Sequence, residues 1–578
     1  MSLTQSIAIG RTALNASQIG IQVAGNNMAN ATTPGYSRQI ARLTPLRGGS
    51  NYPQVSIGAG VQVNSIQRQV DEALQSRLWQ TTSDQAAAET TLNLYSQIEG
   101  ILGELGDNDL SSELSAFFAS WSERANQTRS SSSVVQQGEK LANFIRRVRT
   151  DLSASATQAE RELGGSVVQA NELLSQIATL NGAISDAEIG NQPANVLRDQ
   201  RDQLITQVSE LLPVTVVDRG REGTDVLVGS VPVVLGSQSR GLEVTRFTDS
   251  DGNLQLGIAT KSDGSRLSVE SGRIGALLEA QDGVVGDIIR QLDSVTNQLI
   301  WETNKLHATG TTTAGFSNIS AQLRLNAADR STAINDPTNS AFGDLPFKPV
   351  NGGFVVRVKH SSGATTETRI DIDLDGRDAT GARGFDDDTS MDDIVAALDN
   401  VDGITARYNA SGQLEVTADD GFTFNFQDDS SSTLAAVGMN AFFTGLDASD
   451  IRVRSELQNN PNLLAAGRIV NKTLVENGTA LALAQLQDKP LEALEGRSLA
   501  GLWRDTVQDT SAGVANKMSA AQAAGTVREA LLSQVAAVSG VSIDEESINL
   551  LQYQRMYQGA AKLISVADEM TQTLINLI

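Results

Sequence analysis

Asp371, Asp373 and Asp375, followed by Gly376, have the types and spacing that open a metal loop. Carboxylates at the first, third and fifth positions with glycine at the sixth begin a calcium loop, which closes on a bidentate carboxylate at the twelfth. The twelfth position here is Ala382, whose side chain offers no oxygen. The stretch is therefore read as a β-turn beside a strand, and no metal or cofactor is expected. Cysteine is absent, and the histidines are His307 and His360 alone. Thiolate nucleophiles, thiolate metal sites, an HExxH pair and three-histidine zinc sites are thereby excluded. There is no Gly-Lys dipeptide for a Walker loop and no GxSxG elbow for a serine nucleophile. His307 falls at a predicted helix end and reads as a C-terminal cap. Trp79, Trp121, Trp301 and Trp503 read as core or interface anchors. No catalysis is expected of this chain.

Charge narrows the partners. The 578 residues carry a net charge of −24, whereas a nucleic-acid partner calls for a basic surface. No acidic residue precedes Asp71, while Arg11, Arg38, Arg42, Arg47 and Arg68 lie in that first stretch. From Ala341 to Asp450, 20 acidic residues stand against 7 basic ones, the composition of a solvated outer surface. No run approaches the roughly 18 apolar residues that a membrane-spanning helix needs. The N-terminus lacks a basic region before Arg11, and Thr4, Gln5 and Ser6 interrupt any apolar core, so no Sec-type signal is read. Neither nucleic acid nor membrane is expected as a partner.

With catalysis set aside, the most strongly patterned elements are the two ends. Leu3, Ile7, Gly10, Leu14, Ser17, Ile21, Ala24 and Met28 step by fours and threes, the a/d seam of a coiled coil. Leu550, Tyr553, Tyr557, Ala560, Ile564, Ala567, Thr571, Leu574 and Ile578 repeat the pattern. An isolated helix of this length is marginal in water, so its apolar stripe wants a partner. The economical solution pairs the first and last helices with each other and with neighbouring copies. The large seam residues Leu3, Ile7, Leu14, Ile21, Met28, Leu550, Tyr553, Tyr557, Ile564 and Leu574 are the candidate subunit interface, with both tyrosines as packing residues.

Between the ends, the first helix should stop near Asn30 at a stiff Thr33-Pro34-Gly35 corner. Short strands or extended chain are expected over Ser37–Leu46 and Val55–Val70, and helix again from about Asp71. A long helix over Val134–Gly190 should bend at Gly164 and Gly165. Asn195–Leu212 reads as helix, Val214–Leu267 as antiparallel hairpins divided by clusters such as Asp251-Gly252-Asn253, and Ile274–His307 as helix. Thr311–Leu446 changes to alternating strands with a short helix at Met391–Leu398. The helical body should resume past Pro461, break at Pro490 and end with a Ser542/Glu545 capping box ahead of the last helix.

The predicted fold is mainly α with β insertions. Residues 1–40 and 541–578 form paired terminal coiled-coil helices. Residues 41–310 and 447–540 form a long-helix bundle body with a small antiparallel β region at 214–267. Residues 311–446 form an inserted acidic α+β outer domain. If the ends occupy the axis of an assembly, the middle faces outward, and head-to-tail contacts would propagate it.

The run GNNMANATTPGYSRQ (Gly25–Gln39) and the closing SIDEESINLLQYQRMYQGAAKLISVADEMTQTLINLI resemble the terminal signatures of the flagellar rod, hook and hook-associated protein family. Thr32 stands where that family commonly has asparagine. The segments VLRDQRDQLITQVSELLPVTV (Val196–Val216) and GRIGALLEAQDGVV leading into NKLHATG are more similar to the hook–filament junction branch. The resemblance covers the ends and the helical body and fades over Thr311–Leu446. It implies a structural subunit exported unfolded through the flagellar type III apparatus, with a cytoplasmic export chaperone on its C-terminal segment. It further implies an extracellular ring of like subunits between the flagellar hook protein and a second junction protein, hook-associated protein 3. The alternatives are another axial subunit of the same family or an extracellular adhesin using its acidic domain.

Overall fold

The computed structural model describes residues 3–47, 58–103, 109–127, 130–190, 192–220, 223–248, 254–343, 345–377 and 380–576. The expected strand start at Val55, the Asp251-Gly252-Asn253 turn and Ile578 lie outside them. Nine helices longer than ten residues occur among the described residues: α1 (Leu3–Ala29), α2 (Glu72–Leu102), α3 (Leu110–Ala125), α4 (Ser131–Ala187), α5 (Asn195–Leu211), α6 (Gly272–Asp282), α7 (Val284–Ala308), α8 (Leu499–Ser539) and α9 (Ile543–Asn576). With the small antiparallel sheets between them, the fold is mainly α with β insertions, and both ends are helical. The chain divides into two compact units, Met1–Leu94 with Gln158–Asp282 and Ala515–Ile578, and Tyr95–Thr157 with Gly283–Val514. This division runs through the helical body.

In the first unit, α1 leads into a hairpin of β1 (Gln39–Pro45) and β2 (Val61–Arg68), paired antiparallel from Gln39 against Arg68 to Pro45 against Val61. The core joins Leu163, Val167, Leu174 and Ile177 of α4 to Ile205 and Val208 of α5 and to two small sheets. One sheet is a four-stranded meander over Val214–Asp218, Thr224–Val228, Val231–Leu235 and Gln238–Ser239. The other has three strands, Leu242–Thr248, Leu254–Thr260 and Arg266–Leu267. Two asparagines on α4 tie it to them. Asn181 Nδ2 donates to the Thr224 and Gly236 carbonyls at 2.7 Å each, and the Asn171 amide bonds both backbone groups of Leu242.

The expected bend at Gly164 and Gly165 does not interrupt α4, which is a single helix of 57 residues. Each glycine costs about 1 kcal/mol of helix propensity relative to alanine, but Leu163 and Val167 on either side are buried. Their burial, worth about 1.5–3 kcal/mol apiece, outweighs that cost. The helix expected over Ile274–His307 is instead two, because Gly283 takes a non-helical backbone (φ −90°, ψ −119°) and caps α7.

In the second unit an aromatic core gathers Phe117, Phe118 and Trp121 of α3, Trp503 of α8, and Phe442 and Phe443. Phe442 lies 5.4 Å from the Trp121 ring, edge-on, and 4.7 Å from Phe443. Both phenylalanines fall inside the stretch assigned by sequence to the inserted domain, yet their side chains belong to the helical core. Phe442→Ala is expected to destabilise this unit by about 3–5 kcal/mol, measured as a lowered urea midpoint; a loss below 1 kcal/mol would contradict the packing described.

A further core holds Phe354, Val356, Phe424, Phe426, Met391, Ile394 and Leu398. Its strands are Gly352–His360 between Thr365–Ile372 and Phe422–Gln427, and Leu414–Ala418 between Asn318–Ser320 and Ile404–Tyr408. Its helix Met391–Asp399 starts on a full capping box from Ser390 and Asp393. The stretch after Pro461, expected as helix, instead forms a hairpin of Gly467–Val470 and Thr473–Val475. Asn471 and Lys472 turn it with φ of 49° and 64°, the left-handed pair of a tight hairpin.

His307 is not a helix cap. It is fully buried, its Nδ1 lies 2.6 Å from the Asn440 carbonyl, and its Nε2 accepts the Ala465 N–H at 3.1 Å. Those two bonds fix a neutral ring with the proton on Nδ1, and burial pushes its pKa down from 6.5 to about 3. In the unfolded chain the ring binds a proton below its ordinary value while the folded ring does not, so acid favours unfolding. Its contribution is complete above about pH 6.5 and is lost as pH falls toward 3, with a slope approaching 1.4 kcal/mol per pH unit. Urea unfolding at pH 7, 5 and 4 should show that slope reduced in His307→Gln; equal slopes in both proteins would refute it.

Candidate functional site

The two ends meet, antiparallel, within one chain. Gly10 faces Ile564, Gly20 faces the Tyr553 ring, and Asn27 bonds Glu546. The buried residues of α1 are Gly10, Ala16, Ser17, Gly20, Val23, Ala24 and Asn27; those of α9 are Glu546, Ala560 and Ala567. Small side chains thus close the contact, because they let two helix backbones approach. A Cβ on Gly20 would stand 2.6 Å from ring carbons of Tyr553, and one on Gly10 would stand 2.6 Å from Ile564 Cγ1.

Of the ten large seam residues, Tyr553 and Ile564 pack directly against Gly20 and Gly10. Leu3, Ile7, Leu14, Ile21, Met28, Leu550, Tyr553 and Ile564 are half-buried, while Tyr557 and Leu574 are exposed. Away from α1, α9 presents a second apolar stripe that the sequence reading did not single out. Ile548, Leu551, Leu563, Val566 and Met570 are 65, 56, 42, 39 and 54% exposed. Their spacing by threes, fours and multiples of them was legible as a second helical phase.

A buried polar corner locks the end of α1 to the start of α9. Asn27 uses its whole amide: Nδ2 donates to the Gln39 carbonyl at 2.9 Å and to Glu546 Oε2 at 3.1 Å, and Oδ1 accepts Gln39 N–H at 3.0 Å and the Tyr36 hydroxyl at 2.8 Å. Burial, with the Asp199 and Glu546 carboxylates nearby, pushes the Tyr36 phenol up to about 12, which keeps it a donor. Arg38 spans Glu545 and Glu546, both at 2.8 Å. The expected capping box at Ser542 is therefore only half formed. Its hydroxyl accepts the Glu545 N–H at 3.4 Å, but the Glu545 carboxylate turns to Arg38.

The same corner is held from behind by α5. Asp199 accepts the Ser37 N–H at 3.3 Å, and Arg68 of β2 reaches Asp199 and Asp202 at 2.8 Å each. The LRDQRDQL segment thus fixes the turn between α1 and β1. Sequence reasoning marked these residues as motif letters without their partners, because the partners lie more than 100 positions away.

The chain bends at Asp375 and Gly376, just beyond the strand Thr365–Ile372. Asp371 pairs with Arg369 at 2.6 Å, and Gly376, with φ of 66°, donates its N–H to the Asp388 carboxylate. Carboxylate oxygens of Asp373, Asp375 and Asp388 lie within 4.8 Å of one another, while Asp375 also accepts the Arg377 N–H. Among the described residues no helix is long and apolar enough to cross a membrane.

The model of the flagellar hook-associated protein FlgK helical domain matches residues 95–321, and that of the flagellar basal body rod FlgEFG protein C-terminal region matches residues 533–577. Flagellar hook-associated protein 1 of Salmonella typhimurium is 25% identical over 98% of both chains. Over nearly its whole length the chain is thus similar to a flagellar hook-associated protein 1. The Escherichia coli member is 24% identical over 98% of both chains. The Bacillus subtilis member is 31% identical over 37% of this chain, which spans 44% of that relative. The fold is similar to that of the flagellar hook junction protein FlgK from Burkholderia pseudomallei, with a TM-score of 0.51 and 13% identity over 80% of this chain and all of that one. The rod-type match covers α9, the helix that carries the outward apolar stripe.

Proposed function

We propose that the chain is a structural subunit that joins hook to filament by polymerising through its terminal helices. The observation that carries this reading is the stripe Ile548, Leu551, Leu563, Val566 and Met570, left exposed on a helix already paired with α1. Each such side chain gains roughly 1.5–3 kcal/mol when fully buried, so a ring of copies would remove a large unfavourable surface. The half-buried Leu3, Ile7, Leu14, Ile21, Met28, Leu550, Tyr553 and Ile564, with Tyr557 and Leu574, complete their burial at the same interface. Export is through the flagellar type III route, with a chaperone covering the C-terminal segment beforehand. The hook protein and hook-associated protein 3 are the axial neighbours, and residues 311–446 face outward as the acidic domain.

The deciding experiment is Leu563→Asp with Val566→Asp, in cells otherwise lacking the protein. The variant should be made and exported yet be missing from purified flagella, and the cells should not swim. Flagella that carry the variant normally would end this reading.

A further inference from the structure

Resting on the ring of copies proposed above, we propose that Phe385, with Asp386 and Asp387, docks into a cavity beside Trp301 and Phe347 on the adjacent copy, where Arg324 pairs with the aspartates. The cavity, within the second unit, measures about 390 Å³ and is walled by Ile300, Trp301, Leu323, Phe347, Val437 and Leu446. The size and apolar lining are those of pockets that take a compact apolar group. The Trp301 and Phe347 rings stack at 4.9 Å and 21°, which presents an aromatic wall to an entering ring. Leu446 at the cavity is 46% exposed. Arg324 lines the same cavity, is exposed, and has no carboxylate partner among the described residues.

The complementary group is on the same chain. Phe385 is 36% exposed, whereas Phe354, Phe424 and Phe426 of the same region are buried. Exposed Asp386 and Asp387 follow it directly. A ring with two carboxylates meets an aromatic-walled cavity with an unpaired guanidinium, so apolar and charge complementarity coincide. The contact joins two different patches, which is the head-to-tail kind that closes rings. A weak contact of this kind suffices there, because neighbours in a ring meet at high effective concentration.

The test is photo-crosslinking in assembled flagella, with Phe385→p-benzoylphenylalanine in the full chain. Irradiation should join two copies, and the linked peptide should map to residues around Trp301, Phe347 or Leu446. The reciprocal variant, Leu446→p-benzoylphenylalanine, should map to residues 383–388. Arg324→Glu should lower the yield by roughly tenfold, and Asp386→Arg with Asp387→Arg should restore it. Flagella that contain both photo-variants but yield no link between copies, or links only elsewhere, would overturn this contact and leave the junction role standing. Absence of the unaltered chain from flagella would overturn both.

Discussion

Replacing Gly20 by valine should remove the protein from the flagellum. The new Cβ would stand 2.6 Å from two carbons of the Tyr553 ring and 2.7 Å from a third, closer than any packed pair tolerates. The ring cannot retreat far, since Tyr553 is itself half-buried against α1. Overpacking of this kind costs about 1–3 kcal/mol per site, and in a polymer every copy carries the defect. Incorporation, read by immunoblot of sheared flagella, should fall by about tenfold or more for each 1.4 kcal/mol lost. Tyr553→Ala in the same chain should restore part of it by vacating the space. If Gly20→Val flagella contain the protein at the ordinary level, the close approach of α1 and α9 is not what holds the ends together.

Arg38→Ala should cost about 3–5 kcal/mol of the stability of the paired ends. The guanidinium is the cationic partner of Glu546, which is only 2% exposed, and its removal leaves a buried carboxylate held by the neutral amides of Asn27 and Asn549. Glu545→Ala is the control. Glu545 is bound by the same arginine but is 61% exposed, and exposed pairs are worth about 0–1 kcal/mol. Amide hydrogen exchange along α9 should therefore quicken sharply in Arg38→Ala and hardly change in Glu545→Ala. Equal effects from the two variants would mean that the corner does not distinguish the buried carboxylate from the exposed one.

The structure altered the roles of individual residues more than the placement of elements. His307, read as a cap, is a buried bridge between Asn440 and Ala465, because a helix end gives no sign of what packs over it. The hairpin over Gly467–Val475 escaped notice because its strands are only four and three residues long, too short for alternation to register. Phe442 and Phe443 were assigned by neighbourhood in sequence to the acidic domain, whereas Asn304, 138 positions earlier, draws both backbone N–H groups to its Oδ1 and so turns the rings into the aromatic core.

By itself the sequence determined the mainly helical fold, the helical nature of both ends, the phase of their apolar seam and the absence of the common catalytic sets. Those depend on residue type and on spacing within one element, which periodicity preserves. The tertiary structure alone decided which seam members touch and which remain outside. Backbone approach is governed by the smallest side chains on facing surfaces, so Gly10 and Gly20 admit Ile564 and Tyr553 against their backbones, and Ala560 and Ala567 are buried on α9. It also decided that Asn27, Arg38 and Glu546 form one buried lock. A hydrogen bond across more than 500 residues exists only once the chain has brought its two ends together.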